Sequence, residues 1–550
     1  MKKTYAFALA SAMLMLGGCS SQDEPLGYDP TPVDDEGTIG YLRIEFPSSA
    51  TRAVSEVTPY DFENEIEEAA FIFDYADGSA PVTRYARKTP DPKDRAQWVE
   101  HDGQTGNKCA VVKLSKMPNA VTVVINGERE YEGDITAQDL DIDHYSRGTN
   151  NLFFMSSARY YDANGERTNK TPITGEMLFK KEEDAINAES GATYGKPVIV
   201  NVEHLVAKVK ISNQYGADYT LDADGKLDPL AKQTDKEVNA KVTFKPEYTF
   251  LTGYRKNTYT IKKLPDYGSF NTDILGWEGF NSVENRWSGM LRRDRSTNIE
   301  WPTLTEIQDA NKMPFGATSD VVEADGKLKD ITTTAAKAYN KTTPLTFYAF
   351  DNGNPKDTRK TSVVVLGKYE VKDNAGNNLA AADGSFWLVA FQDHFQVYSS
   401  EKDAILAMGG DWTDDTHHDT LIPEDVLAAA DVNIPGARDD KWSNWTGWMV
   451  VKEKSLPTRC VKYHGGYGYY SKAINHVPTS VSKDDYEMVV RNHYYDIKIT
   501  GIGGMGIGLP GPNTPIVPLD GPDPKDSDYY LHMSVNVLPW RTLTNEMEWK

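Results

Sequence analysis

Cysteine is scarce in this chain: 550 residues contain three, at positions 19, 109 and 460. Cys109 and Cys460 are far apart, so neither a disulfide framework nor a paired-cysteine metal site is open to the chain, and both read as buried thiols. Stability has to come from hydrophobic cores instead. After residue 19 no apolar run is long enough to cross a membrane as a helix. Positive charge is in deficit: 59 Lys and Arg face 81 Asp and Glu, a formal charge of −22. That balance excludes a general polyanion-binding surface, nucleic acid included, and favours solubility. G-x-S-x-G, H-E-x-x-H and phosphate-loop motifs are missing, and no nucleophile stands near a base at a recognisable spacing. The expectation is a non-enzymatic chain without cofactor or metal.

What is present begins with an export signal. Lys2 and Lys3 make a basic start, residues 5–16 an apolar core, and Leu16-Gly17-Gly18-Cys19 its end. The core is too short for a permanent spanning helix and reads as a cleavable bacterial signal. A cysteine after two glycines resembles a lipobox, in which small residues admit the signal peptidase and the Cys19 thiol takes a diacylglycerol. Ser-Ser-Gln-Asp-Glu follows, similar to the acidic tag that routes some lipoproteins to the outer face of the outer membrane. Without Lys2 and Lys3 the mature charge is −24, from 57 basic and 81 acidic residues. Residues 20–37, rich in Asp, Pro, Ser and Gly, read as a solvated tether.

Beyond the tether the signals are those of strands and turns. Residues 69–75, 120–126, 151–156, 241–244, 345–350, 362–371, 385–397 and 486–500 read as strands. Asp77-Gly78, Asp224-Gly225, Asp325-Gly326 and Asp383-Gly384 supply the positive φ of tight hairpins. An all-β architecture follows, and the length suits two or three domains. In 198–211 the apolar phase slips: Val198, Val200 and Val202 are even, Leu205, Ala207, Val209 and Ile211 odd. The slip predicts a bulge or a crossing between sheets or domains, and the domain boundary is placed there. Residues 501–526, dense in Gly and Pro, are expected not to form a central strand, and to separate a finished domain from the tail.

The two ends of the mature chain share a pattern. Near the start, Leu42, Ile44 and Phe46 alternate with Tyr41, Arg43 and Glu45, ahead of an exposed loop, 47–53, that carries Arg52-Ala53. Near the end, Leu531, Met533, Val535 and Val537 alternate with His532, Ser534 and Asn536; Pro539 interrupts, and Leu543, Met547 and Trp549 resume. A strand of this kind can fill a vacant slot in another sheet, satisfying its backbone ladder and placing alternate side chains in pockets. Four apolar anchors at about 1.5–3 kcal/mol each give roughly 6–12 kcal/mol of gross burial before the ordering entropy is subtracted. The competing reading is that residues 530–549 complete their own domain as an edge hairpin.

Val490 to Ile499, a Pro/Asp linker and Met533-Ser534-Val535-Asn536-Val537-Leu538-Pro539-Trp540 resemble the fimbrillins of type V pili of the Bacteroidales, most closely the shaft subunits of the short, Mfa-type fimbria. Residues 67–74, 120–126, 153–156, 202–211 and 345–352 fit in the same order, whereas 267–301 do not. The resemblance implies two tandem transthyretin-like β-sandwich domains of Greek-key topology. It further implies lipoprotein export, cleavage by an Arg-specific protease, and head-to-tail polymerisation by donor-strand exchange. Carried onto this chain, cleavage falls between Arg52 and Ala53. The removable strand is 38–47, with Leu42, Ile44 and Phe46. The donor is 530–549, with Leu531, Met533, Val535, Val537, Leu543, Met547 and Trp549.

The corresponding divisions are a signal, 1–19; a propeptide, 20–52; two sandwich domains, 53–205 and 206–510; a linker, 511–527; and a donor tail, 528–550. Implied partners are further copies of the chain, anchor and tip subunits, the protease, host or bacterial surface ligands, and the outer membrane through the precursor's lipid. Other clusters rank lower. Asp414-Asp415-Thr416-His417-His418-Asp419 reads as a solvated loop, because adjacent strand histidines point apart. Asp222, Asp224 and Gly225 read as a hairpin turn. Trp442, Trp445 and Trp448, with Tyr463 and Tyr467, read as core or interface aromatics. Their alternative is a sugar platform on a monomeric glycan-binding surface lipoprotein.

Overall fold

A computed structural model of the chain describes residues 37–46, most of 66–261, 299–309, most of 344–423, 449–451, most of 458–476, 489–517 and 529–539. The principal elements, in chain order, are β1 (Gly40–Phe46), β2 (Glu68–Asp74), β3 (Val82–Arg87), β4 (Ala96–Val99), β5 (Lys108–Leu114), β6 (Ala120–Ile125), β7 (Met155–Ser157), β8 (Leu178–Phe179), the helix α1 (Glu182–Ile186), β9 (Val198–Ile199), β10 (Val202–His204) and β11 (Val206–Asn213). They continue with β12 (Lys241–Thr252), β13 (Leu345–Phe350), β14 (Ser362–Lys372), β15 (Phe386–Ala390), β16 (His394–Tyr398), β17 (Arg459–Tyr463), β18 (Tyr467–Ala473), β19 (His493–Gly504), β20 (Ile507–Gly508) and β21 (Tyr529–Pro539). The fold is all-β. No helix among the described residues is long and apolar enough to cross a membrane.

Two cores organise it. The first lies between a sheet ordered β8-β1-β5-β4, with β9 beside β1, and a sheet ordered β10-β7-β6-β2-β3. Strand alternation sends Leu42, Ile44 and Phe46 inward from one sheet, to meet Phe71, Phe73, Val121 and Val123 from the other. Phe46 and Phe71 stack across the gap with ring centres 6.3 Å apart. The second core lies among a sheet ordered β13-β11-β19-β21, a sheet ordered β12-β14-β18-β20, and a third built on β16, β15 and β17.

The phase slip at 198–211 marks a passage between sheets. Val198, Val200 and Val202 serve the first core, while Ala207, Val209 and Ile211 serve the second. Asn492, at φ 59°, donates its backbone N–H to the Val206 carbonyl at 2.8 Å and so ties β19 to the start of β11. Beside it the buried Arg491 pairs with Asp351 at 3.2 Å and donates to Thr258 at 2.7 Å and to the Tyr259 carbonyl at 2.8 Å. Thr258 and Tyr259 in turn pair with Ile142 and Asp141.

Two sequence expectations are corrected. Residues 385–397 are two antiparallel strands, β15 and β16, with Trp387 opposite Tyr398. The glycine-rich stretch, expected as a separator, forms strands as well, though not central ones: β19 has neighbours on both sides only as far as Ile499, its Gly501 to Gly504 end pairs with β21, and β20 pairs with β18. The reason is space for tyrosines. A Cβ on Gly506 would lie 2.6 Å from the Tyr469 carbonyl and 2.9 Å from the Tyr369 hydroxyl. The hydroxyls of Tyr463, Tyr470 and Tyr469 donate to the carbonyls of Gly506 (2.7 Å), Gly504 (2.7 Å) and Val517 (3.0 Å). Glycine therefore lets large polar rings be buried with their hydroxyls satisfied. Of the expected linker 511–527, residues 511–517 are described, and Ile516 and Val517 lie in the second core.

Candidate strand-exchange site

β1 is an internal strand. It pairs antiparallel with β5 along its whole length, from Gly40 opposite Leu114 to Phe46 opposite Lys108. Its other edge is shared by β8, opposite Tyr41 and Leu42, and by β9, parallel to Ile44 and Glu45. The ladder continues at both ends, with Ile39 N–H donating to the Leu114 carbonyl at 2.8 Å and Val200 N–H to the Glu45 carbonyl at 3.0 Å. Leu42, Ile44 and Phe46 have no exposed surface. Lifting β1 out would expose backbone groups of β5 on one side and of β8 and β9 on the other, above an apolar floor.

The outward face of β1 is covered as well. Tyr41 packs with Val111, Phe179, Ala185 and Ala188 in a small cluster under α1. Arg43 Nε donates to Glu45 Oε1 at 2.6 Å, and its Nη1 donates to the carbonyls of Ala185 (3.1 Å) and Ile186 (2.7 Å). This contact was not legible in the sequence, because α1 lies more than a hundred positions downstream; an arginine amid an apolar alternation was its only trace. Cys109, on β5 opposite Glu45, is a buried free thiol whose pKa burial pushes up, with Arg43 drawing it partly back down. Cys460 is likewise free and buried.

At the other end, β21 lies at the edge of its sheet and pairs with β19 from Tyr529 opposite Gly504 to Pro539 opposite His493, with a bulge between Ile499 and Gly501. Leu531 is buried in the second core, Met533 and Val535 are half-buried against it, and Ser534 is exposed. Val537 is opposite Tyr495. In the single chain the expected donor strand therefore occupies the position of an edge strand of its own sheet. Cys19, Arg52, Ala53, Leu543, Met547 and Trp549 lie outside the described residues.

The remaining candidates do not converge. Trp442, Trp445 and Trp448 lie outside the described residues, as do Asp222 and Asp224. Tyr463 is a core residue, while Tyr467 donates to Glu247 at 3.1 Å and carries Lys368 over its ring. The Asp414–His417 stretch is an exposed hairpin in which Thr416 and His417 hold the Asp414 carboxyl down at about 2. Among the described residues no group of three or more His, Cys, Asp or Glu side chains is placed to hold a metal.

Residues 461–546, which span part of β17 and everything to the end of β21, match the family described as major fimbrial subunit protein type IV, fimbrillin, C-terminal. The likeness to fimbrillins is thus shown over the carboxyl-terminal region, and it supports a fimbrial or adhesion subunit of the cell surface. Among solved structures, the chain is similar to a candidate cell adhesion protein of Parabacteroides distasonis, at 12% identity, covering 91% of this chain and 99% of that one, with a TM-score of 0.39. A candidate cell adhesion protein of Bacteroides eggerthii follows at 9% identity, with 91% and 96% covered and a TM-score of 0.33. The tip fimbrial protein Mfa3 of Porphyromonas gingivalis, truncated at its C-terminus, gives 11% identity, 91% and 99% covered and a TM-score of 0.27. Superpositions this loose carry no functional argument. No curated protein sequence matches the chain.

Proposed function

We propose that this chain is the shaft subunit of a cell-surface fimbria, a structural and non-catalytic protein. It is exported as a lipoprotein through Cys19, cut between Arg52 and Ala53 by an Arg-specific protease, and polymerised head to tail when the tail of one copy fills the slot of β1 in the next. The observation that supports this most is the internal position of β1. Its forward link to the rest of the chain passes through the segment that contains Arg52 and Ala53. Once that link is cut, β1 is held by non-covalent forces alone and loses the high effective concentration of an attached strand. Leu531, Met533, Val535 and Val537 repeat the spacing of Leu42, Ile44 and Phe46, so the same floor accepts either strand. Anchor and tip subunits and a surface ligand complete the set of partners, and the sandwich units divide at 205/206, where the chain changes cores.

The tail must first leave its own sheet. That step breaks one ladder, because β21 has a single hydrogen-bonded neighbour among the described residues. The test is to treat the full-length protein with an Arg-specific protease and run it on gels without boiling. Wild type should give a ladder of oligomers, and Arg52→Ala a single monomer band. A ladder from Arg52→Ala, or none from the cleaved wild type, would overturn the reading.

A further inference from the structure

Arg43 lies on the face of β1 opposite the anchors and is only 2% exposed. The helix it meets is unbalanced: α1 has Glu182, Glu183 and Asp184 in its first turn and no basic residue in its last. The terminal carbonyls of such a helix lack intrahelical partners and carry partial negative charge. The Arg43 guanidinium supplies both donors and charge there, at 3.1 Å from the Ala185 carbonyl and 2.7 Å from that of Ile186. Glu45, two residues along the same face, fixes the guanidinium through its Nε at 2.6 Å. The inner face of β1 is thus recognised by shape alone, and its outer face by a charge-assisted fork. The tail offers the first and lacks the second, since His532, Ser534 and Asn536 stand between its anchors and Arg541 comes only after Pro539.

We infer that Arg43 and the carboxyl end of α1 form a latch specific to the propeptide strand. It holds β1 in place after the chain is cut, and it must open before a donor strand can enter. The inference rests on the strand-exchange reading and adds discrimination to it. The slot takes either strand on its floor, but only the propeptide engages its lid, so a processed subunit stays closed and does not polymerise at once.

The test compares full-length wild type with Arg43→Gln. Both are cut at high dilution with an Arg-specific protease, with the cleavage position checked by mass. Two rates are read: loss of the propeptide fragment, and uptake of a fluorescent synthetic peptide spanning 529–550. Loss of a charge-assisted double contact should speed fragment release by about tenfold or more and speed peptide uptake with it. Equal release rates would overturn the latch. If no peptide enters either protein, the donor assignment fails, while the release rates still decide the latch.

A second arm leaves the protein unaltered and so does not depend on how Arg43→Gln folds. Peptides carrying His532→Arg, Ser534→Arg or Asn536→Arg are bound to the wild-type slot, and their dissociation is timed. At least one should leave about tenfold more slowly than the parent peptide, by regaining the contact with α1. Three peptides that leave as fast as the parent would contradict the inference.

Discussion

β1 sits between neighbours on both edges and is covered on both faces, whereas β21 has one neighbour among the described residues and leaves Ser534 in solvent. The strand expected to depart is therefore the more firmly held of the two, and the strand expected to be donated is the more easily lifted. This arrangement keeps the precursor shut. Full burial of Leu42, Ile44 and Phe46 contributes about 5–9 kcal/mol before the ladders and the Arg43 contact are added. Cleavage removes none of these interactions. It makes departure irreversible by dilution, because a cut strand that leaves no longer returns at high effective concentration. An edge strand has less to break, so the same exchange can be demanding at the accepting end and easy at the donating end.

Deleting 529–550 tests the comparison most severely. Assembly should be lost altogether, while the protein folds and the first core keeps its thermal transition, since Leu531, Met533 and Val535 of β21 pack in the second core. Oligomers formed by the truncated protein would refute the assignment of the tail. Next in size, Ile44→Ala in the uncut precursor should cost about 2–5 kcal/mol in denaturant unfolding, as for other fully buried large-to-small changes. Val535→Ala, at a half-buried edge position, should cost about 1 kcal/mol or less. Equal losses would mean that β1 is no better held than the tail.

Alkaline pH weakens the seat of β21. Tyr369 and Tyr495 are buried in the second core, and desolvation raises both pKa values above the ordinary tyrosine value. Unfolded tyrosines ionise near pH 10, so the stability these two groups contribute is complete below about pH 10 and is lost as pH rises further, when only the unfolded chain releases the protons. Hydrogen exchange measured at neutral pH after short pulses above about pH 10 should therefore show β21 losing protection. Full protection of β21 after such pulses would contradict this.

Much of this arrangement was legible from periodicity. The alternation of Leu42, Ile44 and Phe46 marked an inward face, and the slip between Val202 and Leu205 marked the change of core. The reversal between Ala390 and His394 carries no glycine or proline, so β15 and β16 read as one strand. The glycines at 501–508 looked like loop punctuation because their role depends on Tyr369, Tyr463, Tyr469 and Tyr470, which approach from distant strands. Arg43 was legible as a shielded strand residue, but its partners on α1 were not, since backbone carbonyls leave no mark in a sequence. The tail's alternation likewise identified a strand without saying whose sheet it joins.

That last ambiguity is settled most directly by cross-linking fibres assembled from equal parts of isotopically light and heavy subunits, with mass analysis of links between Lys550 and Lys108 or Lys113, which flank the slot on β5. The account predicts mixed light–heavy links at the statistical proportion. Links confined to a single isotope, or links from the tail only to Lys498 of the same chain, would contradict it.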